Sequence, residues 1–115
     1  MSCCGRRIRA AAVFALVLAT GLPASSATAA DDRAGQRLAQ ACAVCHGILG
    51  ISVQPDAPNL AGQPAIYLAA QLKAYRGSDR RHEVMNVIAK PLSDADIADL
   101  AAWFASIRIE AQAPR

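Results

Sequence analysis

From Asp31 to its end, the chain offers only four large aromatic side chains around which to build a core: Tyr67, Tyr75, Trp103 and Phe104. This stretch of about 85 residues is close to the lower limit at which one domain buries enough apolar surface to hold itself together. Alanine supplies much of its remaining apolar content. A chain of this kind needs a staple, whether disulfides, a metal or a bound cofactor.

The first thirty residues have a different character. Arg6, Arg7 and Arg9 form a basic start, Ala11 to Leu22 carry no charge, and a small-residue stretch ends at Ala27-Thr28-Ala29-Ala30. This order of regions predicts a secretory signal peptide over residues 1–30, cut after Ala29 or Ala30, leaving one domain over residues 31–115. An uncleaved anchor is the competing reading. A spanning helix needs about 20 apolar residues, however, and this run stops short at Gly21 and Pro23. Cys3 and Cys4 precede the apolar run and would leave with the leader. The formal charge of +3 belongs to the leader, because nine basic and nine acidic residues cancel from Asp31 onward. A balance of zero argues against a nucleic-acid binder.

Three segments have helical signals, and no useful period-2 alternation appears. The first is expected from about Asp32 to Ala43, capped by Asp31 or Asp32. The second starts at Pro64, a favoured first helical position, and ends near Arg76 before Gly77, with Leu68, Leu72 and Tyr75 along one side. The third is the clearest. Ser93 is a natural N-cap and Asp96 a capping-box partner, and Ile97, Leu100, Ala101, Phe104 and Ile107 form an apolar stripe. Gly47 to Gln63 and Gly77 to Leu92 are left as long irregular segments, which need something to pack against.

The chemistry-bearing motif is Cys42-Ala43-Val44-Cys45-His46. Two cysteines three apart on a helical turn can reach the two vinyl groups of one haem, and the next histidine can face the iron, so the pattern reads as c-type haem attachment. Three other readings compete. A thioredoxin-type disulfide wants a βαβ frame that the chain lacks. A zinc site could use Cys42, Cys45, His46 and His82, although adjacent Cys45 and His46 are awkward tetrahedral ligands. A purely structural disulfide explains neither His46 nor the long loops.

Taken with Pro58-Asn59-Leu60-Ala61-Gly62-Gln63, Tyr67-Leu68 with Gln71-Leu72, Gly77 with Arg80, Met85, and Leu92-Ser93, this motif makes the chain resemble the class I c-type cytochromes. More narrowly it is similar to the small single-haem periplasmic cytochromes and to one half of their two-haem relatives. The resemblance implies a single all-α domain, a small cytochrome c fold of three main helices and long loops around one covalently bound haem c. It also implies that the Pro58 carbonyl holds the second ring nitrogen of His46, an arrangement that ligand histidines require. It places Leu60 against the haem and makes Gly35 the small residue where the first and last helices cross.

Met85 is the only methionine after the leader, in the segment where such proteins place an axial ligand. A thioether is a common sixth ligand in c-type haems. His82, three residues away, is the competitor; core filler is the ordinary role for a lone methionine. His46 and Met85 are thus the expected iron ligands, and Cys42, Cys45, Pro58 and Leu60 complete the expected cofactor site. No nucleophile with a base is visible, and Asp94, Asp96 and Asp99 suit a helix start. The expected role is periplasmic transfer of single electrons between redox proteins such as dehydrogenases, reductases or oxidases, with no membrane span after cleavage. A haem subunit of a larger dehydrogenase, or a ligand sensor or peroxidase with an open sixth site, are the alternatives.

Charge is uneven along the chain. Lys73, Arg76, Arg80, Arg81 and Lys90 outweigh Asp79 and Glu83 around Met85, a pattern that would suit a partner with an acidic docking patch. These are otherwise ordinary solvated charges.

Because the residues from Asp31 onward bury too little by themselves, the Cys42→Ala, Cys45→Ala double variant prepared without haem should be largely unfolded or molten. Circular dichroism should show no cooperative thermal transition; two-state melting would contradict the expectation.

Overall fold

In a computed structural model of the chain, residues 29–115 are described; the leader expected over residues 1–30 lies outside them but for its last two residues. The described part is helical, with no strand. Its elements are α1 (Asp32–Leu38), a 3₁₀ turn (Ala39–Ala41), α2 (Ala43–His46), α3 (Ala65–Gly77), α4 (Glu83–Ala89) and α5 (Asp94–Ser106). Among these residues no helix is long and apolar enough to cross a membrane.

The first expected helix is thus two helices joined by a tighter turn. Asp31 caps α1 by accepting from the Arg33 N–H (2.9 Å), and its own N–H donates to Asp99 Oδ1 (2.7 Å), which ties the start of α1 to α5. After Leu38 the backbone contracts to 3₁₀ form, then resumes as the single turn that carries Cys42, Cys45 and His46. Gly47, at φ +76°, ends it; a side chain there would strike the Ile51 carbonyl oxygen.

Helix α3 begins one residue later than expected. Pro64 is its N-cap in extended backbone rather than its first helical residue. The helix also runs through Gly77, and Ser78 takes the left-handed conformation (φ +67°) that usually falls to glycine. Helix α5 follows its sequence signals closely. The Ser93 hydroxyl accepts from the Asp96 N–H (3.1 Å) while Asp96 Oδ2 accepts from the Ser93 N–H (2.8 Å), a reciprocal capping box. Ile97, Leu100, Ala101 and Phe104 are buried, and Ile107 packs at the edge of the same core.

Two differences matter for the site. The segment from Gly77 to Leu92, expected to be irregular, contains α4, with His82 as N-cap. Its seven residues fall below the length at which periodicity identifies a helix. The segment from Gly47 to Gln63 is irregular, but it is held by its own backbone. The Gly50 carbonyl accepts from Leu60 and Ala61 (2.7 and 3.1 Å), Gly62 donates to the Phe104 carbonyl (2.9 Å), and Val53 donates to Cys45 (3.1 Å).

The closest helix pair is α1 and α5, crossing at Gly35. A Cβ there would land on the Asp99 carbonyl oxygen and lie 2.7 Å from Trp103 Cβ, so the backbones touch where any side chain would part them. Gly77 differs, because a Cβ would meet only the end of the Asp79 side chain, at 3.3 Å. Opposite effects follow. Gly35→Ala should destabilise the protein by about 1–3 kcal/mol, overpacking outweighing the gain in helix propensity. Gly77→Ala should be neutral or stabilising by up to ~1 kcal/mol. Thermal melting of the two variants checks the contrast in sign.

Candidate functional site

The helices enclose a cavity of about 850 Å³, open on one side and walled mainly by apolar side chains. Its volume lies within the range of about 300–1,000 Å³ usual for cofactor and small-molecule sites. Its walls come from three parts of the chain: the Cys42–His46 turn, the Asp56–Gln63 loop, and the facing sides of α3, α4 and α5. All six sequence-predicted site residues line this one cavity: Cys42, Cys45, His46, Pro58, Leu60 and Met85.

His46 is buried, with 7% of its surface exposed. Its Nδ1 lies 2.8 Å from the Pro58 carbonyl oxygen, the pairing implied by the resemblance. A carbonyl oxygen only accepts, so Nδ1 is the donor in this pair and Nε2 is the ring nitrogen left for a metal. Pro58 is held in turn by the loop, where Asn59 Oδ1 accepts from the Ser52 N–H (2.7 Å) and the Ser52 hydroxyl reaches the Gln54 carbonyl (2.6 Å). Cys42 and Cys45 are half-buried and unpaired. Burial pushes the Cys42 thiol above its ordinary pKa, so it stays protonated.

Met85 lines the same cavity from α4, and is half-buried. It therefore sits on a helix rather than in an irregular segment. His82 is exposed and its ring nitrogen Nδ1 accepts the Met85 N–H (3.3 Å), so its role in the fold is to cap α4. Among the described residues no three His, Cys, Asp or Glu side chains are grouped to hold a metal ion, so a zinc site built with His82 lacks the geometry.

A polar cluster at the cavity wall is absent from the sequence expectations as a unit. Arg80 donates to Gln71 Oε1 (2.6 Å) and lies over the Tyr75 ring, 4.7 Å from its centre, and all three line the cavity. The spacing of four between Gln71 and Tyr75 on α3 is the signal that could have paired them; Arg80 joins only through the turn.

The basic run around Met85 is weaker than its sequence balance. Arg76 forms an ion pair with Asp94 (2.6 Å) and donates to the Leu92 carbonyl (2.9 Å), bracing α3 against α5. Arg80 is engaged as above. Arg76 is thus a structural charge rather than a rim charge, a correction to the expected docking surface.

Several large apolar side chains around the cavity are exposed, among them Val44 (74%), Val87 (70%), Val84, Ile88 and Tyr67. Soluble domains rarely leave such a patch uncovered. A large flat apolar group with polar ends would cover it, and one imidazole and one thioether to meet iron, with two thiols to attach the ring, suit a porphyrin-held iron. The residues present therefore fit haem c.

Comparison with known proteins agrees. Residues 33–108 match the cytochrome c family. The chain is 43% identical over 81 residues to cytochrome c-554(548) of Halomonas halodenitrificans, covering 68% of this chain and 98% of that one. It is 41% identical over 94 residues to cytochrome c4 of Pseudomonas aeruginosa, covering 82% of this chain and 47% of that one. Among solved structures, thiosulfate dehydrogenase from Marichromatium purpuratum superposes with a TM-score of 0.64 at 35% identity, over 77% of this chain and 22% of that one. The chain thus spans nearly the whole of one relative and about half of another.

The acid side of the stability curve is set partly by two carboxylates at the start of α5. The Arg76 guanidinium holds the Asp94 carboxyl below its usual pKa, by its hydrogen bond first and its charge second; the Ser93 hydroxyl and N–H do the same for Asp96. A carboxyl whose folded pKa is depressed stabilises fully above its unfolded value of about 3.9, and this stabilisation is lost as pH falls through the folded value. Asp94→Asn should therefore flatten the acid limb of melting temperature against pH. The variant and parent should differ near neutrality and converge at low pH, and the gap should shrink in high salt because Asp94 is exposed.

Proposed function

Since this chain belongs to the cytochrome c family and is an electron carrier, we propose that its finer role is that of an exported, periplasmic single-haem protein that passes electrons one at a time between redox proteins. The observation that carries this reading is that Cys42, Cys45 and His46 on one segment and Met85 on another line a single apolar cavity.

Haem c supplies a one-electron ferric–ferrous couple. In this reading Cys42 and Cys45 hold the cofactor through thioether links, which suits two thiols one helical turn apart. His46 gives its Nε2 to the iron while the Pro58 carbonyl fixes the ring through Nδ1, a hydrogen bond that also makes the imidazole a stronger donor. Met85 gives its sulfur from the facing helix, and a thioether in that position raises the potential relative to a second histidine. Leu60, Leu68 and Leu100 exclude water from the faces of the site. Arg80, rather than its neighbour Arg81, is placed to pair with a carboxylate at the cavity wall, because it alone of the two lines the cavity. His46 and Met85 are both anchored on helices, so they would hold the group with little rearrangement when it gains or loses an electron.

The leader over residues 1–30 supports export, since covalent haem attachment takes place outside the cytoplasm, and the domain over residues 31–115 is the part that functions. The likeness to part of a thiosulfate dehydrogenase supports a second reading, in which the chain accepts electrons as a subunit of an enzyme. Co-purification with a tightly held dehydrogenase would favour that reading over a free carrier. An acidic patch on the partner fits the remaining charges of Lys73, Arg81 and Lys90.

Mass spectrometry of the denatured protein should show an N-terminus at Ala30 or Asp31 and the added mass of one haem. Haem that extracts into acidified solvent would refute the covalent link. Met85→Ala should abolish the red-region sulfur-to-iron charge-transfer band of the ferric protein and open the ferrous protein to carbon monoxide. Loss of native ligation in His82→Ala, with a parent protein that lacks the sulfur band and a Met85→Ala variant whose spectrum and carbon monoxide exclusion match the parent, would instead make His82 the ligand.

A further inference from the structure

Helix α4 has seven residues, too few to be stable on its own propensity, yet it presents Met85 to the cavity. Something must hold its first turn in place. The His82 cap bond to the Met85 N–H is long, at 3.3 Å, and involves an exposed side chain. The residue after Met85 does more. Asn86 is half-buried, and both sides of its amide are spent on backbone groups of the turn that joins α3 to α4. Its Oδ1 accepts from the His82 N–H (2.6 Å), and its Nδ2 donates to the Tyr75 carbonyl (2.6 Å) and the Arg80 carbonyl (2.8 Å). One side chain thereby ties the last turn of α3, the middle of the connection and the first residue before α4. The Arg80 N–H donates to the Ala74 carbonyl (3.1 Å), so the turn is closed from the α3 side as well.

From this arrangement we infer that Asn86 is the positioning residue for Met85: its amide clamp fixes the α3–α4 turn and so holds the thioether at the iron. The inference rests on the reading of Met85 as the axial ligand. Asn86 does not itself line the cavity; it bonds to the backbone of three residues that do, Tyr75, Arg80 and His82, so it acts through the backbone that carries Met85. The clamp needs a group that donates twice and accepts once from one planar end, which only an amide on a short stem provides here. Leucine has a similar shape and none of these bonds. Aspartate has the same shape and can still accept from His82, but it turns a carboxylate oxygen toward two carbonyl oxygens.

The test uses holoprotein with Asn86→Leu, Asn86→Asp and, as a control, Ser93→Ala, which weakens α5 without touching the turn. The measurements are the sulfur-to-iron band of the ferric protein through a mild denaturant series below global unfolding, the reduction potential, and carbon monoxide binding to the ferrous protein. Both Asn86 variants should lose the band at lower denaturant than the parent, with the detached fraction raised about tenfold or more for each clamp bond lost. Their potential should fall and their carbon monoxide binding should rise, while Ser93→Ala behaves as the parent in all three. Folded Asn86→Asp with the band, potential and carbon monoxide binding of the parent would overturn the proposal. So would changes in Ser93→Ala as large as those in the Asn86 variants, because the effect would then follow overall stability. A parent protein that lacks the band and binds carbon monoxide freely would overturn the reading of Met85 itself, a result separate from the other two.

Discussion

Half of the buried apolar side chains among the described residues are alanines: Ala39, Ala61, Ala89 and Ala101 stand beside only Leu68, Ile97, Leu100 and Phe104. Alanine contributes little transfer free energy, since burial stabilises in proportion to apolar area. The larger apolar side chains are instead arranged around the cavity, where Val84, Val87, Ile88 and Tyr67 remain exposed. The fold is therefore organised to pack against something at its centre rather than against itself. Its helices are short, and its long loop from Gly47 to Gln63 wraps one wall of the same space. A cofactor in the cavity would complete the core and the redox site together, so stability and function draw on the same contacts.

The two walls are secured by different means. The wall that carries Cys42, Cys45 and His46 is built mainly from backbone contacts: α1 and α5 touch at Gly35, the Asp31 N–H is tied to the Asp99 carboxylate, and the loop after His46 is laced to Gly50, Cys45 and Phe104. These bonds connect residues far apart in the chain and leave the Cys42–His46 turn little freedom. The facing wall depends on α4, which hangs between α3 and α5 on side-chain bonds. Asn86 holds its start, and the Arg76–Asp94 pair holds the elements on either side. An ion pair with one exposed partner contributes little by itself. Its effect here is enlarged by the second bond of Arg76 to the Leu92 carbonyl, which fixes the chain between α4 and α5. The wall that carries Met85 is thus the wall with the weaker anchorage.

What the sequence determined by itself was local. Cys42, Cys45 and His46 lie within one helical turn, so their spacing alone fixes how they can meet a flat ligand. Ser93 and Asp96 cap α5 across three residues, and the stripe from Ile97 to Phe104 repeats with the helical period. Such signals are legible because the interacting groups are near neighbours in the chain and need no knowledge of the rest. The all-α class was legible for a related reason, since it follows from the helical pattern and the lack of period-2 alternation. Tertiary structure decided the remainder. The 3₁₀ turn at Ala39–Ala41 lets the chain pass from the α1–α5 crossing to the attachment turn, and Ser78 rather than Gly77 takes the left-handed position. Helix α4 exists although its seven residues give too few repeats to announce it, because Asn86 and its partners up to eleven residues away hold its first turn. Arg76 reads as a surface charge in sequence and becomes a brace because Asp94, eighteen residues on, folds beside it. In each case the deciding energy comes from bonds between segments that only the folded chain brings together, so no local propensity could encode it.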